Sequence, residues 1–355
     1  MRASRIVKTY EAAATLCRVA PSSVTSRASF PLGAAAAALQ REPRQIAERN
    51  LRRVLGDGVH GRELRRMSRE VFVSYARYYV DSFSLPSRSA DEIEAGFTID
   101  GYHYIEAALA GNPEREAGPE RLSERKAGKP GPILALPHLG GWEWAAFWLT
   151  RIKGQRVSAV VEELRPPELF EWFCDLRREL GMEVIPLGPG AGSAVVKAIN
   201  RGHITCLLSD RYLSGGGVTV EFFGERTLLP AGPATLALRT GAPLLPCAVY
   251  FRGEGSHGVV RPPIPTERQG SLRDDVTRVT QMMARELEEL IAAAPEQWHL
   301  LQPNWPSDYA ALGRAVPEWF ADAGPGNANG ATNGASAEGA TKDTSAEGAT
   351  KDTVS

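Results

Sequence analysis

From residue 130 to residue 293 the chain alternates short apolar runs with stretches whose apolar positions recur at helical spacing. The runs at 133–136, 157–161, 182–187, 204–208, 218–223 and 244–251 are too short for helices and are bounded by Pro, Gly or charge, so they read as strands. The stretches at 142–151, 166–180, 192–200, 231–240 and 272–293 read as helices. Alternation of this kind buries its apolar surface by laying helices on the faces of a sheet. The expected class is therefore α/β, a central mixed sheet flanked by helices.

The strand at 133–136 runs into Pro137-His138-Leu139-Gly140-Gly141-Trp142-Glu143. His138 falls where the strand ends and Glu143 where the next helix begins. Open α/β sheets bind ligands at such carboxyl ends of strands. A neutral imidazole takes a proton near pH 7, and a carboxylate beside it fixes the tautomer and stabilises the imidazolium. Two glycines let the backbone pass close to a ligand. On spacing alone, a helix-capping Glu143 beside a partly buried His138 fits equally well. Asp210-Arg211, at the end of the strand 204–208, reads either as site residues or as a structural ion pair. No G-x-S-x-G elbow is present, which disfavours a serine hydrolase.

The chain has 355 residues, enough for a large core, and a formal net charge of −1. That balance offers no global field for nucleic acid. Cys17, Cys174, Cys206 and Cys247 are far apart with no C-x-x-C pair, so they read as reduced, mostly buried thiols of a cytosolic compartment. The six histidines are scattered, and no metal site is expected.

No apolar run reaches the roughly 18 residues of a membrane span. The first segment carries Arg2, Arg5 and Lys8, but Glu11 and the polar stretch after Pro21 argue against a secretory signal. Ile6, Val7, Tyr10, Ala13, Ala14, Leu16 and Cys17 recur at helical spacing, suited either to packing on the core or to lying on a membrane. From residue 41 to about 110 the pattern stays helical. An arginine-rich helix spans 41–55, stopped by Gly56-Asp57-Gly58, and a second runs from 61 to 85 with Leu64, Val71, Phe72, Tyr75 and Tyr79 in its apolar stripe. Residues 112–130 are charged and rich in Gly and Pro, as in a surface loop. The tail repeats SAEGATKDT at 336–344 and 345–353, a composition expected to be disordered. Three regions are thus expected: a helical, membrane-facing 1–128, an α/β core 129–310, and a low-complexity 311–355.

Several of these residues together carry a family resemblance. His138-x4-Glu143, Cys206-Leu-Leu-Ser-Asp210-Arg211, Val218-Thr-Val-Glu-Phe-Phe-Gly-Glu225, Pro230-Ala-Gly-Pro233 and Thr240-Gly-Ala-Pro-Leu-Leu-Pro246 occur in the order seen in lysophospholipid acyltransferases. The set resembles the bacterial lipid A biosynthesis (lauroyl) acyltransferase superfamily over roughly residues 40–306. Within it, the actinobacterial phosphatidylinositol mannoside acyltransferase branch is most similar.

The resemblance implies a glycerolipid acyltransferase-like fold. It also implies transfer of a fatty acyl group from acyl-CoA, as co-substrate, to a mannose hydroxyl, the 6-hydroxyl, of a mannosylated phosphoinositide. The work would be done peripherally at the cytoplasmic face of the plasma membrane. By resemblance His138 is the general base, Glu143 its orienting acid, and Asp210, Arg177 and Arg211 its partners in the site. Glu162 stands where the branch carries an acid near the acceptor sugar. That branch often has Asp at the place of Glu143 and Glu at the place of Asp210. The same chemistry on another glycolipid or a lysophospholipid, or a non-catalytic lipid-binding protein, are the competing expectations.

Overall fold

The computed structural model describes residues 2–20, 22–110, 129–213 and 216–321. The expected loop at 112–130, apart from its last two residues, and the repeat in the tail lie outside the described residues. Four helices open the chain: α1 (Arg2–Val19), α2 (Ser22–Leu39), α3 (Arg41–Leu55) and α4 (Gly61–Ser84). α5 (Ala90–Ala95), β1 (Phe97–Asp100) and α6 (Tyr102–Leu109) follow. Strands and helices then alternate as β2 (Ile133–Leu136), α7 (Trp142–Arg151), β3 (Val157–Val161), α8 (Pro167–Glu179), β4 (Met182–Pro186), α9 (Ala191–Asn200) and β5 (Ile204–Leu208). The hairpin β6 (Gly217–Phe222) and β7 (Glu225–Pro230) precedes α10 (Gly232–Thr240), β8 (Leu244–Arg252), β9 (Gly255–Val260) and α11 (Leu272–Ala292). Two short helices, α12 (Pro306–Ala311) and α13 (Glu318–Ala321), complete the described part.

The main sheet has seven strands in the order β1-β9-β8-β2-β5-β3-β4. β8, β2, β5, β3 and β4 run parallel, and β9 turns back against β8, which makes the sheet mixed. β2 is central and all four of its side chains are buried. Their alternation divides the core. Ile133 and Ala135 pack with α9, α10 and α11, whereas Leu134 and Leu136 pack with Trp144, Phe147 and Trp148 of α7. A strand buried on both faces shows as a continuous apolar run rather than an alternating one, which is how it reads in the sequence.

Three strands were not legible. β1 lies where a helical pattern was expected to continue, and it pairs with β9 at the sheet edge. The sheet thus draws in residues N-terminal to the expected boundary at 128. β7 begins with Glu225-Arg226 and β9 contains Gly255, His257 and Gly258, so neither is an apolar run. Each owes its strand character to a partner.

At the N-terminus, α1 turns Val7, Tyr10, Ala13, Ala14 and Cys17 toward Phe83 of α4 and Phe173 of α8. The stripe read from the sequence is therefore a packing face, while Ile6, Leu16 and Val19 stay exposed. α2 lies so close to α4 that a Cβ on Gly33 would sit 2.4 Å from the Val73 backbone. Among the described residues, no helix is long and apolar enough to cross a membrane.

Candidate active site

β2 and β5 are parallel neighbours with Leu136 in register with Leu208. Two residues beyond each stand His138 and Asp210, so the pairing brings them side by side at the carboxyl end of the sheet. The His138 ring Nδ1 lies 2.6 Å from Asp210 Oδ1. The backbone N–H of His138 donates to Asp210 Oδ2 at 3.0 Å, and the Trp298 indole N–H donates to the same oxygen at 2.7 Å. A carboxylate only accepts, so in the neutral ring Nδ1 carries the proton and Nε2 is the basic nitrogen.

Asp210 is fully buried, while the His138 side chain is 30 % exposed. Burial by itself raises the Asp210 carboxyl. The positive charge available on His138 and the bonds from its ring, its backbone and Trp298 outweigh that, and the net shift is downward.

The loop that carries His138 is held by the segment around Trp298. Gly140 N–H donates to the Gln297 carbonyl at 3.1 Å and His299 N–H to the His138 carbonyl at 2.7 Å. Gly140 has a φ of +58°, and a Cβ there would lie 1.9 Å from the Val249 carbonyl oxygen, so only glycine fits. Because its N–H is committed to Gln297, Gly140 is not a free oxyanion donor.

Glu143 is buried in the first turn of α7, but its partners are elsewhere. Its Oε1 accepts from the Tyr78 hydroxyl at 2.6 Å and from Arg177 at 3.0 Å. Its Oε2 is buried with no hydrogen-bond partner among the described residues. Geometry therefore corrects the expected pairing, since the acid bonded to His138 is Asp210, 72 residues away in sequence, and Glu143 pairs with Arg177. Burial pushes the Glu143 carboxyl up, against the opposing pull of Arg177 and Tyr78. The Arg177 guanidinium also lies 5.4 Å from the Trp142 ring centroid and 5.8 Å from that of Phe173.

His138, Arg177, Glu162 and Arg211 all line one cavity of about 2320 Å³. Ligand pockets commonly measure about 300 to 1,000 Å³, so this one has room for more than one large substituent. Two residues facing the cavity are each backed by a buried acid: Asp210 behind His138, and Glu143 behind Arg177. Glu162 and Arg211 form an ion pair in its lining.

Tyr78, Trp298 and His299 were not singled out as site residues. Tyr78 falls outside the apolar stripe of α4 that the sequence displays. Trp298 and His299 lie beyond the last long helix, where no spacing in the sequence ties them to His138. His299 Nε2 is bonded to Ser74 Oγ at 2.9 Å. Burial, reinforced by nearby His138, pulls its pKa down to about 3.

Among the arginines of α3, Arg49 and Arg53 reach Asp308 at 2.7 and 2.6 Å, and Arg53 stacks 4.0 Å over Trp305, so these two tie α3 to α12.

Comparison with known proteins bears on the whole arrangement. A model of the bacterial lipid A biosynthesis acyltransferase family matches residues 4–307. The phosphatidylinositol mannoside acyltransferase of Mycobacterium tuberculosis (strain CDC 1551 / Oshkosh) is 36% identical over 296 residues, 81% of this chain and 85% of that protein. The protein of the same name from Mycolicibacterium smegmatis is 34% identical over 311 residues, 86% of this chain and 93% of its own length. The family match takes in the sheet, the His138 loop, Asp210 and the Trp298 segment that clamps them. The chain belongs to the bacterial lipid A biosynthesis acyltransferase family.

Proposed function

We propose that the protein transfers a fatty acyl group from acyl-CoA to a mannose hydroxyl, the 6-hydroxyl, of a phosphatidylinositol mannoside, with His138 as general base. The observation that carries this reading is the His138–Asp210 pair, its ring on a large cavity and its acid fully buried. The names of the two mycobacterial relatives supply the acceptor class.

A sugar hydroxyl is a poor nucleophile and needs a base within hydrogen-bond reach. His138 Nε2 takes its proton as the oxygen attacks the thioester carbonyl carbon. The imidazolium then faces the Asp210 carboxylate. Arg177, held toward the cavity by Glu143, is the candidate donor to the tetrahedral oxyanion. Collapse breaks the C–S bond, the ester forms, and the proton on His138 passes to the departing thiolate. The leaving group is good enough that no covalent enzyme intermediate is needed. In this reading Glu162 and Arg211, which line the same cavity, bond the acceptor hydroxyls.

Membrane attachment is peripheral in this reading, at the cytoplasmic face of the plasma membrane. Its support is the concentration of exposed apolar side chains on α2, Phe30, Leu32 and Leu39 among them, with the exposed Arg69 of α4 close to Phe30. The Arg69 guanidinium lies 5.8 Å from the Phe30 ring centroid.

The test is incubation with palmitoyl-CoA and a panel of mannosylated phosphoinositides, plain phosphoinositides and lysophospholipids, with products identified by mass. Only the mannosylated lipids should gain a palmitoyl group, and His138→Ala should cut turnover by about two to four orders of magnitude. Acylation of the lysophospholipids alone would replace the proposed acceptor. Near wild-type turnover in folded His138→Ala would remove the base.

A further inference from the structure

We propose that Trp319, with Tyr212, forms an aromatic platform that takes the sugar ring of the acceptor at the cavity mouth. The inference rests on the function proposed above and adds a residue that the family match, ending at 307, does not reach. Trp319 lies on α13, is 48 % exposed, and lines the same cavity as His138.

The segment carrying it is anchored. The neighbouring Phe320 packs edge-on against Tyr309 at 5.8 Å, and Tyr309 belongs to α12, whose Asp308 is buried and bound to Arg49 and Arg53. On the other side, the Trp319 ring centroid is 6.4 Å from that of Tyr212, with the planes tilted by 59°. Tyr212 is itself fixed, because it rests on Gly217, where a Cβ would come within 2.9 Å of its ring. Tyr212 directly follows Arg211, the partner of Glu162.

An aromatic pair with a half-exposed indole therefore stands next to a charged pair in the cavity lining. That combination suits a pyranose. Its C–H face can lie on an indole, while its hydroxyls bond to carboxylate and guanidinium. An acyl chain instead requires enclosed apolar walls, which a half-exposed indole does not supply.

Steady-state kinetics test the platform, titrating the mannosylated lipid at saturating palmitoyl-CoA and then the reverse. Trp319→Ala, and a chain ending at Pro317, should each raise the acceptor KM about ten-fold, the scale of one lost aromatic contact. The KM for palmitoyl-CoA and kcat should stay at wild-type values. Trp319→Phe should restore most of the loss, and a chain ending just before Gly324 should match wild type throughout. An unchanged acceptor KM in Trp319→Ala, or a rise confined to palmitoyl-CoA, overturns the platform while leaving the proposed function intact. A wild type inert toward every mannosylated lipid fails the proposed function, and the platform with it.

Discussion

Replacing Asp210 by Asn tests the assignment of the orienting acid most directly. The carboxylate receives three N–H donors: the His138 ring at Oδ1, and the His138 backbone and Trp298 indole at Oδ2. An amide in the same place offers one accepting oxygen and one donating nitrogen. If its oxygen faced the ring, its NH2 would meet two buried donors, leaving each unpaired at about 1 to 3 kcal/mol. The cheaper orientation keeps the oxygen on those two donors and turns the NH2 toward Nδ1. Nδ1 must then accept, so the ring proton moves to Nε2 and the base is lost. The charge that stabilises the imidazolium is lost as well. Together these should lower turnover by roughly three to four orders of magnitude, the scale seen when an aspartate behind a catalytic histidine becomes asparagine. The assay is palmitoyl transfer at saturating substrates, with nitrogen NMR of labelled histidine reporting the tautomer. A folded variant within ten-fold of wild-type turnover, or one that keeps the proton on Nδ1, would refute the argument.

Glu143→Gln should behave differently, because it leaves the Arg177 charge buried without its partner. It should cost roughly 3 to 5 kcal/mol in urea denaturation, with Glu143→Gln/Arg177→Met regaining part of that. Turnover should fall too, but nitrogen NMR of labelled histidine should still find the His138 proton on Nδ1; a proton moved to Nε2 would return Glu143 to the base. His299 predicts acid lability. Its pKa is lowered from 6.5 to about 3, so between those values the unfolded chain binds a proton that the folded chain does not. Stability should therefore fall as pH drops below about 6.5, by at most about 1.4 kcal/mol per pH unit, and stop falling near 3. The depressed Asp210 carboxyl adds a loss of the same sign only below about pH 4. His299→Gln should flatten the slope of stability against pH by about one proton, and an unaltered slope would assign the lability to other groups. At the membrane, Phe30→Glu with Leu32→Glu should reduce flotation with vesicles containing phosphatidylinositol, and salt should weaken wild-type recovery. Deleting residues 1–40 is a poorer probe, since it would also uncover the face of α4 on which α2 packs. Equal recovery of variant and wild type, or of wild type on anionic and neutral lipid, would exclude this mode of attachment.

What the sequence determined by itself is local. β2, β3 and β5 agree with the expected strands residue for residue, and α3, α7 and α11 agree to within a residue, because period, caps and breakers act over a few positions. The place of His138 at a strand end was legible for the same reason. The choice of its partner was not. Glu143 is five residues away and looks like a neighbour, but α7 turns it toward Tyr78 and Arg177. Asp210 reaches the ring only because β2 and β5 pair in parallel with Leu136 opposite Leu208. That register is decided by burial on both faces of the sheet, not by either strand alone. Trp298 joins the same carboxylate from 88 residues further along the chain. Arg49 and Arg53 looked like a basic surface until Asp308 closed on them from the far end of the chain. The short strands β1, β7 and β9 likewise lack a pattern of their own and become strands only when a neighbour accepts their hydrogen bonds. Spacing along a chain can nominate chemical groups; only the packed sheet sets which of them meet.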